Sequence, residues 1–164
     1  MSSVISNTSP LIALSAIGDL GLLPQIFTSV LVPVAVEQEI AAGVRPWHVK
    51  VALDEALGAG WMTLAAASTG PRVRALRERL GAGEGEAIAL AKERHLPVLI
   101  DDLKGRKAAA DLDLVVIGTL GVLARSKRKG IIPQVRPRIQ LLREAGIYLP
   151  DTLVERLLHE LNEI

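Results

Sequence analysis

Short apolar runs alternate along the chain with longer stretches in which apolar residues return every three or four positions. The short runs are Val4-Ile5-Ser6, Val30-Leu31-Val32, Trp61-Met62-Thr63-Leu64, Val98-Leu99-Ile100 and Leu114-Val115-Val116-Ile117. Each is too short for a helix and mostly apolar without alternation. They predict five strands covered on both faces, as in a parallel sheet. The stretches between them predict helices. Ser9 is an apt N-cap for the first, with Pro10 in its opening turn, and a short helix follows around Leu20–Phe27. Another carries Val36, Glu37, Glu39 and Ile40 and stops near Gly43. Further helices are expected over Trp47–Leu57, Pro71–Leu80, from Gly81 through Ala91, and over Lys104–Ala110. Thr119 is a natural N-cap for the next, which ends in the run from Arg125 to Gly130. Two amphipathic helices follow, near Gln134–Ala145 and Asp151–Asn162. Strands alternating with helices predict an α/β fold, a three-layer α/β/α sandwich with a mainly parallel five-stranded sheet. With 164 residues and no repeat, linker or low-complexity tract, the chain reads as one domain, 1–164.

Polar groups gather where strands end. Asn7 follows the first strand, and Asp101 and Asp102 follow the fourth. Ligands bind outside the carboxyl ends of the strands in open parallel sheets, so these side chains lie where chemistry is expected. Glu37 and Glu39 are two residues apart and point to different faces, and periodicity does not choose between them. Glu84 and Glu86 open an apolar helix, where one acid opposes the helix dipole and the second has no evident structural need. Three or four oxygen donors around one cleft suit Mg²⁺ or Mn²⁺.

Composition narrows the alternatives. The aliphatic content is high and there are two Trp, one Tyr and one Phe, which argues against a binder that stacks bases on aromatic platforms. Without Cys there is no disulfide, thiolate nucleophile or cysteine zinc site. His48, His95 and His159 lack zinc-ligand spacing. Neither a glycine-rich dinucleotide fingerprint nor a P-loop follows the first strand. The net charge of +1 hides a division: residues 1–44 hold no Lys or Arg, whereas residues 114–143 hold seven bases and no acid. That second stretch includes Arg125, Lys127, Arg128 and Lys129, and is expected to hold a polyanion. No basic leader precedes an apolar core and no apolar run reaches ~20 residues, so a cytoplasmic protein with no membrane partner is expected.

Five segments in order carry a family resemblance. They are Asn-Thr-Ser-Pro-Leu-Ile at 7–12, Val-Pro-x-x-Val-x-x-Glu at 32–39, Gly-Glu-x-Glu-Ala-Ile-Ala-Leu-Ala at 83–91, Leu-Ile-Asp-Asp-x-x-x-Arg at 99–106 and Gly-Thr-Leu-Gly-Val-Leu at 118–123. Together they resemble the PIN domain, in particular a prokaryotic branch described as nucleic-acid-binding proteins. The likeness extends to Lys-Gly-Ile-Ile at 129–132 and Glu-Ala-Gly-Ile-Tyr-Leu at 144–149. It implies a metal-dependent ribonuclease of the kind found as VapC-type toxins, with RNA as substrate, a cognate antitoxin as partner and a homodimer as assembly. Carried over by position, the acidic ligands of the family fall on Asn7, Glu39, Glu86 and Asp102, with Asp101 as a neighbour that can substitute. The same comparison makes Glu39, Glu86 and Asp102 the catalytic carboxylates. Thr8, Ser9 and Thr119 are then supporting polar groups, and Arg106 and Lys107 join the nucleic-acid contacts.

Asn7 departs from the family pattern, which has Asp at that position. An amide oxygen can coordinate but brings no negative charge, so weak binding of Mg²⁺ or Mn²⁺ is expected. The competing reading is a PIN-like module that binds nucleic acid or protein without cutting. A phosphatase-like enzyme with an aspartyl nucleophile is disfavoured, because Asn7 cannot serve as that nucleophile.

Overall fold

The computed structural model describes residues 2–43 and 46–164. Five parallel strands form one sheet: β1 (Val4–Ser6), β2 (Val30–Pro33), β3 (Met62–Ala65), β4 (Val98–Leu99) and β5 (Val116–Ile117), in the spatial order β3-β2-β1-β4-β5. β1 pairs with β2 through Val4 and Val30, and with β4 through Ile5 and Val98. The order reverses direction between β1 and β4, which places a switch point beside the carboxyl ends of those two strands.

Helices link the strands: α1 (Thr8–Ala16), a 3₁₀ turn (Leu20–Leu22) with α2 (Leu23–Ile26), α3 (Val34–Ala41) and α4 (Trp47–Ala59). After β3 come α5 (Pro71–Leu80) and α6 (Ala82–Arg94), then α7 (Leu103–Asp111), α8 (Thr119–Arg128), α9 (Arg136–Glu144) and α10 (Asp151–Glu160). Neighbouring strand residues point to opposite faces, and the core divides accordingly. Val4, Val30, Val32 and Leu99 join Leu11, Leu14 and Leu53 on one face. Ile5, Val98 and Ile100 join Leu76, Ile88 and Ala109 on the other. A third cluster ties Leu123 to Val135, Leu142 and Leu158 and carries α9 and α10 outside the layers. The three-layer α/β/α sandwich expected from the alternation is the observed fold, with that C-terminal helical cluster added to it.

Differences lie mainly at helix ends. The first helix starts at Thr8, with Asn7 rather than Ser9 at its N-cap position, and the Asn7 side chain bonds another element instead of its own first turn. Thr119 is the first residue of α8 and Gly118 occupies the cap position, because the carboxylate that caps this helix comes from Asp101. Trp61, Ile100, Leu114 and Val115 lie just outside the ladders their runs suggest. Among the described residues no single helix is long and apolar enough to cross a membrane.

Candidate metal centre

Four elements deliver polar groups to the carboxyl edge of the sheet. Asn7 ends β1, Glu39 lies on α3, Glu84 opens α6 and Asp102 opens α7. Asn7 is almost fully buried, and its Nδ2 donates to Glu84 Oε2 at 3.0 Å. Thr8 Oγ1 donates to Glu39 Oε2 at 3.0 Å, and the Gly83 amide donates to Glu39 Oε1 at 2.9 Å. Asp102 caps its own helix, with Oδ2 accepting from the Gly105 amide at 2.9 Å. Each carboxylate is thus aimed by a backbone amide or a short side chain.

Two glycines make this approach feasible. A Cβ on Gly83 would stand 2.6 Å from Glu39 Oε1, and a Cβ on Gly105 would stand 2.5 Å from Glu84 Cδ. Glu84 therefore lies directly over the first turn of α7, and Glu39 over the first turn of α6. Burial pushes Glu84 up to about 7, helped by the negative charges of Asp102 and Glu39; the Asn7 hydrogen bond and Lys104 pull it back. Three carboxylates crowd this edge with too little positive charge to neutralise them.

The sequence leaves a choice at two positions, and the geometry separates the alternatives. Glu39, not Glu37, is held by Thr8 and Gly83. The carry-over assigns Glu86, but the structure brings Glu84, not Glu86, to Asn7. Glu86 leaves the opposite side of α6 and pairs with Arg77 of α5 at 2.5 Å, whereas Glu84 meets Asn7. Two residues on a helix are ~200° apart, so only one of the pair can face this cleft.

Asp101 is also committed elsewhere. Its Oδ1 accepts from the Thr119 amide at 2.7 Å and its Oδ2 from Thr119 Oγ1 at 2.6 Å, so both oxygens fasten α8 to the end of β4. Thr119 thus meets Asp101. Arg106 turns inward, with Nη1 donating to the Ile100 carbonyl at 3.0 Å, and lies beside Asp101 under Gly118. It braces the β4 turn. Ser9 and Lys107 are exposed and make no hydrogen bond to the cluster. Lys104, which sequence reasoning passed over, lies near Glu84 and donates to the Arg79 carbonyl at 3.1 Å.

The basic run does not meet the cluster. α8 starts at the carboxyl edge and its ten residues carry the chain about 15 Å back toward the amino edge. Arg125, Arg128 and Lys129 consequently line a cleft at the other end of the sheet, beside Ser2 and Pro97. Lys127 is occupied by Glu163 at 2.9 Å and by the Leu161 carbonyl at 2.8 Å. The run lies away from the carboxylates because it ends its helix rather than starting it.

A family model described as DUF3368, a PIN domain, matches residues 3–163. The chain belongs to this PIN domain family. PIN domains are generally divalent-metal-dependent nucleases. Among solved structures, a PilT N-terminus domain protein from the hyperthermophilic archaeon Sulfolobus solfataricus P2 is similar at TM-score 0.51. The two are 19% identical, and the match covers 77% of this chain and 93% of that one. That likeness shows the fold. No curated protein matches the chain significantly.

The donor set fits the family's metal in its chemistry. Glu39, Glu84 and Asp102 offer hard carboxylate oxygens and Asn7 an amide oxygen, the types that Mg²⁺ and Mn²⁺ take. The raised Glu84 marks a place where an added cation would relieve repulsion. Among the described residues the acids do not close into a preformed shell.

Proposed function

We propose that the chain is a metal-dependent endoribonuclease whose reacting centre is built from Asn7, Glu39, Glu84 and Asp102. The observation that carries this reading is the convergence of three carboxylates and Asn7 on the switch point, with Glu84 held near neutrality. Glu39, Glu84 and Asp102 would hold the divalent ion. When bound, that ion supplies charge neutralisation at a phosphate and a more acidic water. The chain's own groups do the rest. Thr8 and the Gly83 amide fix the direction of the Glu39 carboxylate, and the first turn of α7 fixes Asp102. Glu84, with a pKa close to working pH, is suited to accept or release a proton at Oε1 while Oε2 stays on Asn7. Lys104 and Lys107 lie on the helix that Asp102 opens and are available to the phosphate backbone.

Asn7 removes one negative charge from the expected ligand set, so the proposal includes weak metal binding. The toxin role, with a cognate antitoxin and a homodimer, extends the proposal on family resemblance. The same Asn7 favours a second reading, a PIN-like module that binds RNA or protein without turnover. Incubation of the purified protein with mixed RNA in Mg²⁺ or Mn²⁺, beside Asp102→Asn, separates the two. Cleavage by the parent and its loss in the variant support the nuclease. Equal cleavage by both indicates a contaminating enzyme. RNA retention without cleavage by either supports the binding module, and Asn7→Asp is then expected to restore turnover.

A further inference from the structure

The amino edge of the sheet holds a second cleft, of about 580 Å³, on the side away from the carboxylates. Its apolar lining includes Phe27, Val115 and Ile117, and its charged lining is Arg125, Arg128 and Lys129. No acid lines it, and these three cations join no ion pair among the described residues. Cations in a last helical turn complement the exposed carbonyls there, but that role explains one side chain, not three converging on one apolar floor. Val115 is 61% exposed, directly before β5. β5 is an edge strand, paired with β4 on one side and with no strand on the other among the described residues.

We infer that this cleft docks an acidic peptide segment that carries aliphatic side chains, entering in extended form along β5. Charge complementarity selects the occupant's sign, since all three charged lining groups are positive. The floor selects its class. Phe27 is 4% exposed and offers no face for a base, so the cleft lacks the stacking platform that single-stranded nucleic acid uses. An exposed aliphatic side chain, Val115, beside an edge strand is instead a setting for strand addition, in which main-chain hydrogen bonds supply affinity and alternate side chains supply selectivity. The carboxylates of the segment would flank its buried side chains and meet Arg125, Arg128 and Lys129.

The test uses the full chain labelled with ¹⁵N and three probes of about ten residues or nucleotides: a peptide alternating Leu and Glu, a peptide alternating Leu and Lys, and a uridine-rich RNA. The Leu–Glu peptide is expected to shift the amide signals of Phe27, Val115 and Ile117. Its affinity should fall at least tenfold in an Arg125→Ala/Arg128→Ala double variant whose melting temperature is unchanged, both side chains being exposed. Binding should also weaken as salt rises. The inference is overturned if those signals do not move, if the Leu–Lys peptide or the double variant binds equally well, or if RNA alone moves them. Signals of Asn7 and Asp102 report the carboxyl edge in the same spectra, so the outcome is independent of the nuclease proposal.

Discussion

Replacing Glu84 by Gln removes a charge while keeping the shape that fits between Asn7 and Gly105. In the folded protein Glu84 ionises at about 7 instead of 4.5. Below about pH 4.5 the group is protonated in both folded and unfolded chains. Between those values the folded chain holds the extra proton, so stability falls as pH rises and the full loss is reached above 7. One pKa unit corresponds to ~1.4 kcal/mol. The carboxyl is half-buried beside an open cleft, and solvent screening reduces the usable effect to about 1–2 kcal/mol. At about 2–4 °C per kcal/mol for a chain of this size, Glu84→Gln should match the parent near pH 5 and melt roughly 2–8 °C higher at pH 8. Thermal unfolding followed by circular dichroism from pH 5 to 8.5, without divalent ions, reads this directly. Parallel curves for the two proteins would refute the reasoning, because they would mean that Glu84 titrates alike in both states. Adding Mn²⁺ should stabilise the parent at pH 8 and leave Glu84→Gln nearly unmoved.

The other predictions use different parts of the molecule. Gly85→Ala should destabilise by about 1–3 kcal/mol in urea unfolding, since its Cβ would stand 2.7 Å from the Leu76 and Arg77 backbone and force α5 from α6. Gly83→Ala meets only the end of the Glu39 side chain, so its melting temperature should hold while metal-dependent cleavage falls, measured on labelled RNA. Asp101→Ala should cost about 0.5–2 kcal/mol by chemical unfolding through loss of the α8 cap. Glu163 accepts from the Val135 and Arg136 amides and from Lys127, and these donors outweigh its desolvation and hold it below its usual range. Its contribution is present above the ordinary carboxylate pKa and lost on acidification, and Glu163→Gln should remove that acid-side slope.

Much of the fold was legible because apolar runs and helical periodicity are local properties. All five strands appear near the positions their runs suggest; β2 gains one residue at its end and β3 is shifted by one. The site was legible in its elements and less so in its residues. Position 7 and the Asp pair stand where strands end, and that placement follows from topology. The choice of Glu84 over Glu86 depends on the rotation of α6 against the sheet, which is set by Gly85 lying on α5 and by Gly105 making room on α7. Glycine spacing carried that signal, but contacts with other helices give it meaning. The place of the basic run was not legible for a related reason. Charge content along a sequence does not state which end of a sheet a helix terminus reaches, and α8 carries Arg125–Lys129 to the amino edge. Asp101 shows that adjacent carboxylates can divide their work, one fastening α8 and the other opening α7 beside Glu84.

Manganese titration followed by electron paramagnetic resonance, on the parent beside Glu84→Gln and Glu86→Gln, tests the assignment of the centre most directly. The account predicts that the parent takes up Mn²⁺ weakly, that Glu86→Gln binds as the parent does, and that Glu84→Gln loses binding at least tenfold. Loss in Glu86→Gln with Glu84→Gln unaffected would contradict the centre described here.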